Sequence, residues 1–158
     1  MVSLTATPDA NSVFAGWSGA CAGMGTCTVT MDAVKAVTAT FNRAAPPTLA
    51  CSASPKSLWP PNHKMVNIAV SVTMSNLSGF KLISVTSNEP DNGPGDGNTT
   101  NDIQGWAIGT PDTNGQLRAE RSGTGNGRIY TLTYTGQDGV GNSASCSATV
   151  TVPHDQKK

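Results

Sequence analysis

Val66, Ile68, Val70, Val72 and Met74 are apolar at every second position over nine residues. Successive side chains of a strand point to opposite faces, so this spacing gathers all five on one face and sends Asn67, Ser71 and Thr73 to the other. The period returns in Ala144, Cys146, Ala148, Val150 and Val152. No apolar stripe of helical period runs beyond two turns. Strands are also expected over 82–87, and 116–121 and 128–134 flank Ser122-Gly123-Thr124-Gly125-Asn126-Gly127 like a hairpin. Short strands with frequent turns predict two antiparallel sheets packed face to face. The fold class is therefore all-β.

Composition narrows the function classes. Charged residues are 13% and apolar residues 37% of the 158, both low for a cytosolic enzyme. Ten bases balance ten acids, so there is no basic face for nucleic acid and no polybasic membrane anchor. No apolar run approaches the roughly 20 residues that span a bilayer. The first residues lack the basic head and apolar stretch of a signal peptide, so an export signal is expected outside this chain. Four cysteines in a Thr/Ser-rich β chain favour disulfides and an extracellular or cell-surface location. Cys21 and Cys27 are six apart across a glycine-rich loop, which favours a local clip.

Ala44-Ala45-Pro46-Pro47-Thr48 reads as a proline linker (44–48) between two regions of different texture. Residues 1–43 show period-two strands over 13–17, 26–31 and 35–41, with a turn at Pro8-Asp9-Ala10-Asn11. Leu4-Thr5-Ala6-Thr7-Pro8, Phe14-Ala15-Gly16-Trp17-Ser18-Gly19, Cys21, Cys27-Thr28-Val29-Thr30-Met31 and Val37-Thr38-Ala39-Thr40-Phe41 together resemble the divergent B-repeat of bacterial surface proteins. The resemblance implies a truncated repeat, with Leu4–Thr7 as an edge open to self-association. Residues 49–153, followed by a polar tail at 154–158, resemble the hyalin-repeat and related immunoglobulin-like modules of secreted bacterial proteins. That likeness rests on Leu49-Ala50-Cys51, Asp138-Gly139-Val140-Gly141-Asn142 and Cys146 through Val152. It implies an immunoglobulin-like sandwich with a Cys51–Cys146 bridge between its first and last strands.

The stretch from Ser87 to Asp102 holds Glu89, Asp91, Asp96 and Asp102, several amides and no basic residue. Glycines let such a loop curl, and Ca²⁺ takes six to eight oxygen ligands. Glu89, Asp91, Asp96, Asn98 and Asp102 are candidate calcium ligands, against the alternative of a solvated acidic turn. Glu120 and Asp138 are further candidates. For Glu120 the alternative is a surface ion pair with Arg118 or Arg121, and for Asp138 a turn role. His63 and His154 are the histidines available to a catalytic reading. No Gly-x-Ser-x-Gly elbow or phosphate-binding loop accompanies them.

Three functions follow from these features. The first is a calcium-binding spacer or adhesion module without catalysis. The second is a small calcium-dependent hydrolase of lactones or esters, of the quorum-signal lactonase kind, in which a histidine or carboxylate activates water. The third is a glycan-binding module that uses Trp59 or Trp106 against a cell-surface polysaccharide, with Trp17 expected to pack beneath its repeat.

Overall fold

A computed structural model describes residues 1–155. The chain is all-β, with eleven strands among the described residues. Contacts divide it into two units, one of residues Met1–Pro46 and one beginning at Pro47.

In the first unit, β1 (Val2–Leu4) pairs antiparallel with β3 (Cys27–Val29), and β2 (Ser12–Gly19) with β4 (Val37–Arg43). Leu4 lies opposite Cys27, and the Cys21–Cys27 disulfide closes the glycine-rich loop. Trp17 fastens the same loop: its backbone N–H donates to Gly23 O at 2.7 Å and its indole N–H to Gly25 O at 3.0 Å. Phe14 packs edge-on to Trp17 at 5.2 Å and against Phe41 at 5.6 Å. With so few large side chains, these aromatics and the disulfide supply much of the unit's apolar packing.

The second unit is a two-sheet sandwich. One sheet has the order β5-β6-β9-β8, from β5 (Thr48–Ser54), β6 (Met65–Ser75), β9 (Asn114–Arg118) and β8 (Ile103–Gln104). The other has the order β11-β10-β7, from β11 (Ser143–Pro153), β10 (Gly127–Gln137) and β7 (Gly79–Ser87). The period-two pattern explains the core. Ile68 and Val70 of β6, Tyr130, Leu132 and Tyr134 of β10, and Ala148, Val150 and Val152 of β11 all face inward and are buried. Beyond β5 the chain changes sheets: Leu58 N–H donates to Thr151 O and Thr151 N–H to Lys56 O, so β5 continues as a partner of β11. Cys51 and Cys146 are disulfide-bonded, tying the first strand of this unit to its last.

The hairpin expected around 122–127 does not form. β9 pairs with β6 and β8, whereas β10 pairs with β7 and β11. Residues 119–126 instead cross from one sheet to the other. Ala119 and Glu120 are both buried, which breaks strand alternation after Arg118 and turns the chain inward. Glycine and asparagine mark a reversal of direction, but their chemistry is the same whether the strands beyond it pair or separate.

Candidate functional site

Arg128 is in phase with Tyr130, Leu132 and Tyr134, so β10 points its guanidinium into the sandwich at one end of the core. The side chain is wholly buried. An unpaired charge there would cost several kcal/mol, and the surrounding carboxylates offset that cost. Arg128 Nη1 donates to Asp102 Oδ2 and, at 3.1 Å, to the Tyr130 hydroxyl. Nη2 donates to Pro90 O at 3.0 Å and Nε to Glu89 Oε2 at 3.3 Å. Asp96 Oδ2 and Glu120 Oε1 lie 3.7 and 3.9 Å from Nη2. Burial opposes the charged guanidinium, but hydrogen bonds to Tyr130 and Asp102 outweigh it and raise its pKa. Burial also pushes the Tyr130 phenol up to about 12, so it stays neutral and donates to Arg118 O at 2.9 Å.

The acidic loop folds around this cation. Asp102 is shared between two arginines, since Arg118 Nε donates to its Oδ1 at 2.9 Å. Arg118 also donates to His63 O at 2.9 Å and Thr100 O at 2.8 Å. Glu89 Oε2 accepts from Ser122 N–H at 2.7 Å, joining the loop to the crossing segment. Asp96 caps its own turn through the Gly93 and Asn98 amides. Asp91 is exposed and takes no guanidinium. Its oxygens accept from the Asp102 and Asn101 amides at 2.8 and 2.9 Å, and these two bonds hold its carboxyl below the usual range near 3.8. Gly97 adopts φ of +95°, and a Cβ there would strike the His63 ring, so this turn needs glycine on both counts.

Glu120 is fully buried, which overturns the surface ion pair with Arg118 or Arg121. Its Oε2 accepts from His63 Nδ1 at 3.0 Å and from the Thr99 hydroxyl, while among the described residues Oε1 has no hydrogen-bond donor. Arg121 turns away, donating to Ser122 O and His154 O. Glu89, Asp96, Asp102 and Glu120 thus converge on Arg128, with Asp91 organising the loop behind them. Asn98 sits at the exposed rim, accepting from Asn92 at 3.2 Å. Among the described residues, no three His, Cys, Asp or Glu side chains are grouped as they would be around a metal ion.

Asp138 is not part of this assembly. It follows β10 at the end remote from Arg128, roughly 33 Å along an extended strand. There it shapes the β10–β11 turn, accepting from the Val140 and Asn142 amides at 2.9 and 2.8 Å. His154 is near the Arg121 side of the site, with Nδ1 3.0 Å from Asp155 Oδ2 and Nε2 3.2 Å from Gly123 O. The rest of the tail, residues 156–158, lies outside the described residues.

Sequence reasoning missed Arg128, Tyr130 and Thr99, and offered Arg118 as a surface partner of Glu120 where the structure pairs it with Asp102. For Arg128 a signal exists: it stands in phase with three inward-facing residues of its strand. A charged residue in a core phase implies a buried counter-charge.

Residues 1–45 match the divergent InlB B-repeat domain, a family of bacterial surface proteins. No curated protein and no solved structure matches the chain.

Proposed function

We propose that the chain is a non-catalytic module of a bacterial surface or secreted protein, serving as a spacer or adhesion domain. In this reading the guanidinium of Arg128 is the cation that holds the acidic loop folded. The observation that carries it is the convergence of Glu89, Asp96, Asp102 and Glu120 on that one buried group. Of the catalytic candidates, His63 is engaged with Glu120, and His154 with Asp155 and Gly123. The B-repeat match at residues 1–45 supports the surface location. Hydrolysis assays on simple lactones and esters, with and without chelator, test the proposal. No turnover is expected, and calcium-dependent turnover would overturn it in favour of the hydrolase.

One observation favours a calcium ion in addition. Glu89, Asp96, Asp102 and Glu120 share the two guanidiniums of Arg118 and Arg128, Asp91 pairs with neither, and among the described residues the buried Oε1 of Glu120 receives no hydrogen bond. A divalent cation would relieve that excess. Glu89, Asp91, Asp96, Asn98, Asp102 and Glu120 are the residues available to it. Ligand at a hundredfold excess over Kd adds about 2.7 kcal/mol to a native state that alone binds it. Calorimetric titration and melting with calcium or chelator decide this point. A melting temperature that ignores both leaves Arg128 and Arg118 as the loop's cations.

A further inference from the structure

Of the three tryptophans, Trp17 packs on Phe14, and Trp106 lies across Gly115 against the core. Trp59 does neither: it is 42% exposed. Yet its loop is not loose. Leu58, immediately before it, is buried in the core and donates its N–H to Thr151 O at 2.8 Å. On the far side, His63 N–H donates to Ala119 O and Ala119 N–H to Lys64 O. A large ring is therefore held partly in solvent by anchors on both flanks, at a hydrophobic cost that fuller packing against the sandwich would remove.

Trp59 borders a groove of about 530 Å³ that Asn62, Lys64 and Asn67 also line. Asn67 is shared with a second groove of about 460 Å³ on the outer face of the β5-β6-β9-β8 sheet. There the register sets Asn67 beside Gln116 and Gln116 beside Gln104, three amides in a row across β6, β9 and β8. Gln116 donates to Asn67 Oδ1 at 2.8 Å, which fixes both amides. Ser54 and Asn114 flank the row. Among the described residues, neither groove is lined by a carboxylate, and Lys64 is the one charged residue lining them.

A flat ring for the apolar face of a pyranose, amides that both donate and accept for its hydroxyls, and a lone ammonium define one ligand chemistry. We propose that this continuous face binds an oligosaccharide bearing carboxylate groups, with Trp59 stacking on a sugar ring, Asn67 and Gln116 bonding its hydroxyls and Lys64 pairing with a uronate. The charged network around Arg128 takes no part. The inference supplies the ligand for the adhesion role proposed above and rests on that reading.

The test titrates the full chain with oligogalacturonate and with neutral cello-oligosaccharide by calorimetry. Saturable binding of oligogalacturonate is expected, at least tenfold stronger than that of the neutral sugar. Trp59→Ala should weaken it about tenfold, the loss of one stacking contact. Lys64→Gln should weaken it and abolish its salt dependence. Gln116→Ala should weaken it without touching the loop. Lys81→Gln, on the other sheet, should leave it unchanged. Absence of binding by the folded, disulfide-intact chain, or equal binding by Trp59→Ala, overturns the inference. Its failure leaves the non-catalytic reading standing, because only hydrolysis assays bear on that.

Discussion

His63 and Glu120, 57 residues apart in sequence, meet with Nδ1 3.0 Å from Oε2 at the end of the sandwich. One partner is half exposed and the other wholly buried. His63 thus reaches from the surface to a carboxylate that water does not touch. Thr99 donates to the same oxygen, so the proline-rich loop after β5, the acidic loop after β7 and the crossing segment after β9 are joined at one atom.

Removing the cation of this assembly should be severe. Arg128→Met leaves Asp102, Glu89, Asp96 and Glu120 without their shared partner and should lower stability by about 3–5 kcal/mol in chemical denaturation. Arg128→Lys keeps the charge but not the planar fork that reaches Asp102, Tyr130, Glu89 and Pro90 together, so it should recover only part of the loss.

The two buried tyrosines should respond differently to loss of their hydroxyls. Tyr130 accepts from Arg128 and donates to Arg118 O, so Tyr130→Phe strands both and should cost about 1–3 kcal/mol. The Tyr134 hydroxyl is buried and, among the described residues, has no hydrogen-bond partner. Tyr134→Phe should be neutral or slightly stabilising, as paired urea melts would show.

The two disulfides close loops of very different length, with sequence separations of 6 and 95. By chain entropy, opening the longer should cost about 4–5 kcal/mol and the shorter about 2–3. Cys51→Ser with Cys146→Ser should therefore lower the melting temperature more than Cys21→Ser with Cys27→Ser. Peptide mapping without reductant should recover Cys21 with Cys27 and Cys51 with Cys146.

His154 should titrate above its ordinary value of 6.5. The Asp155 carboxylate is the larger cause and the Gly123 carbonyl the next, and both ring nitrogens face acceptors that favour the imidazolium. A raised folded value makes any stabilisation complete below pH 6.5 and lost as pH rises through the folded midpoint. NMR titration should show that midpoint falling in Asp155→Asn.

What was legible in the residues was whatever depended on near neighbours in the chain. Alternation in 66–74 and 144–152 located β6 and β11, because burial of one sheet face imposes period two on every strand. The Cys21–Cys27 clip follows from a short loop. The acidic loop was visible as a concentration of charge, but its counter-charge was not. Arg128 stands 26 residues from Asp102 and 39 from Glu89, on a strand that a local reading joins to β9 in a hairpin. Strand pairing decides which end of the sandwich an inward arginine reaches, and pairing is a long-range choice. Asp138 illustrates the converse. Its spacing before glycine and asparagine already described the turn it makes.

The Cys51–Cys146 bridge also sets how the sandwich answers a pull. Tension applied at Thr48 and at Pro153 runs three residues into β5, crosses the sulfurs and leaves along β11. The backbone between the two cysteines, which includes both grooves and the acidic loop, lies outside that covalent path. While the bond is intact, stretching can peel the ends of β5 and β11 but cannot extend the chain between the two cysteines.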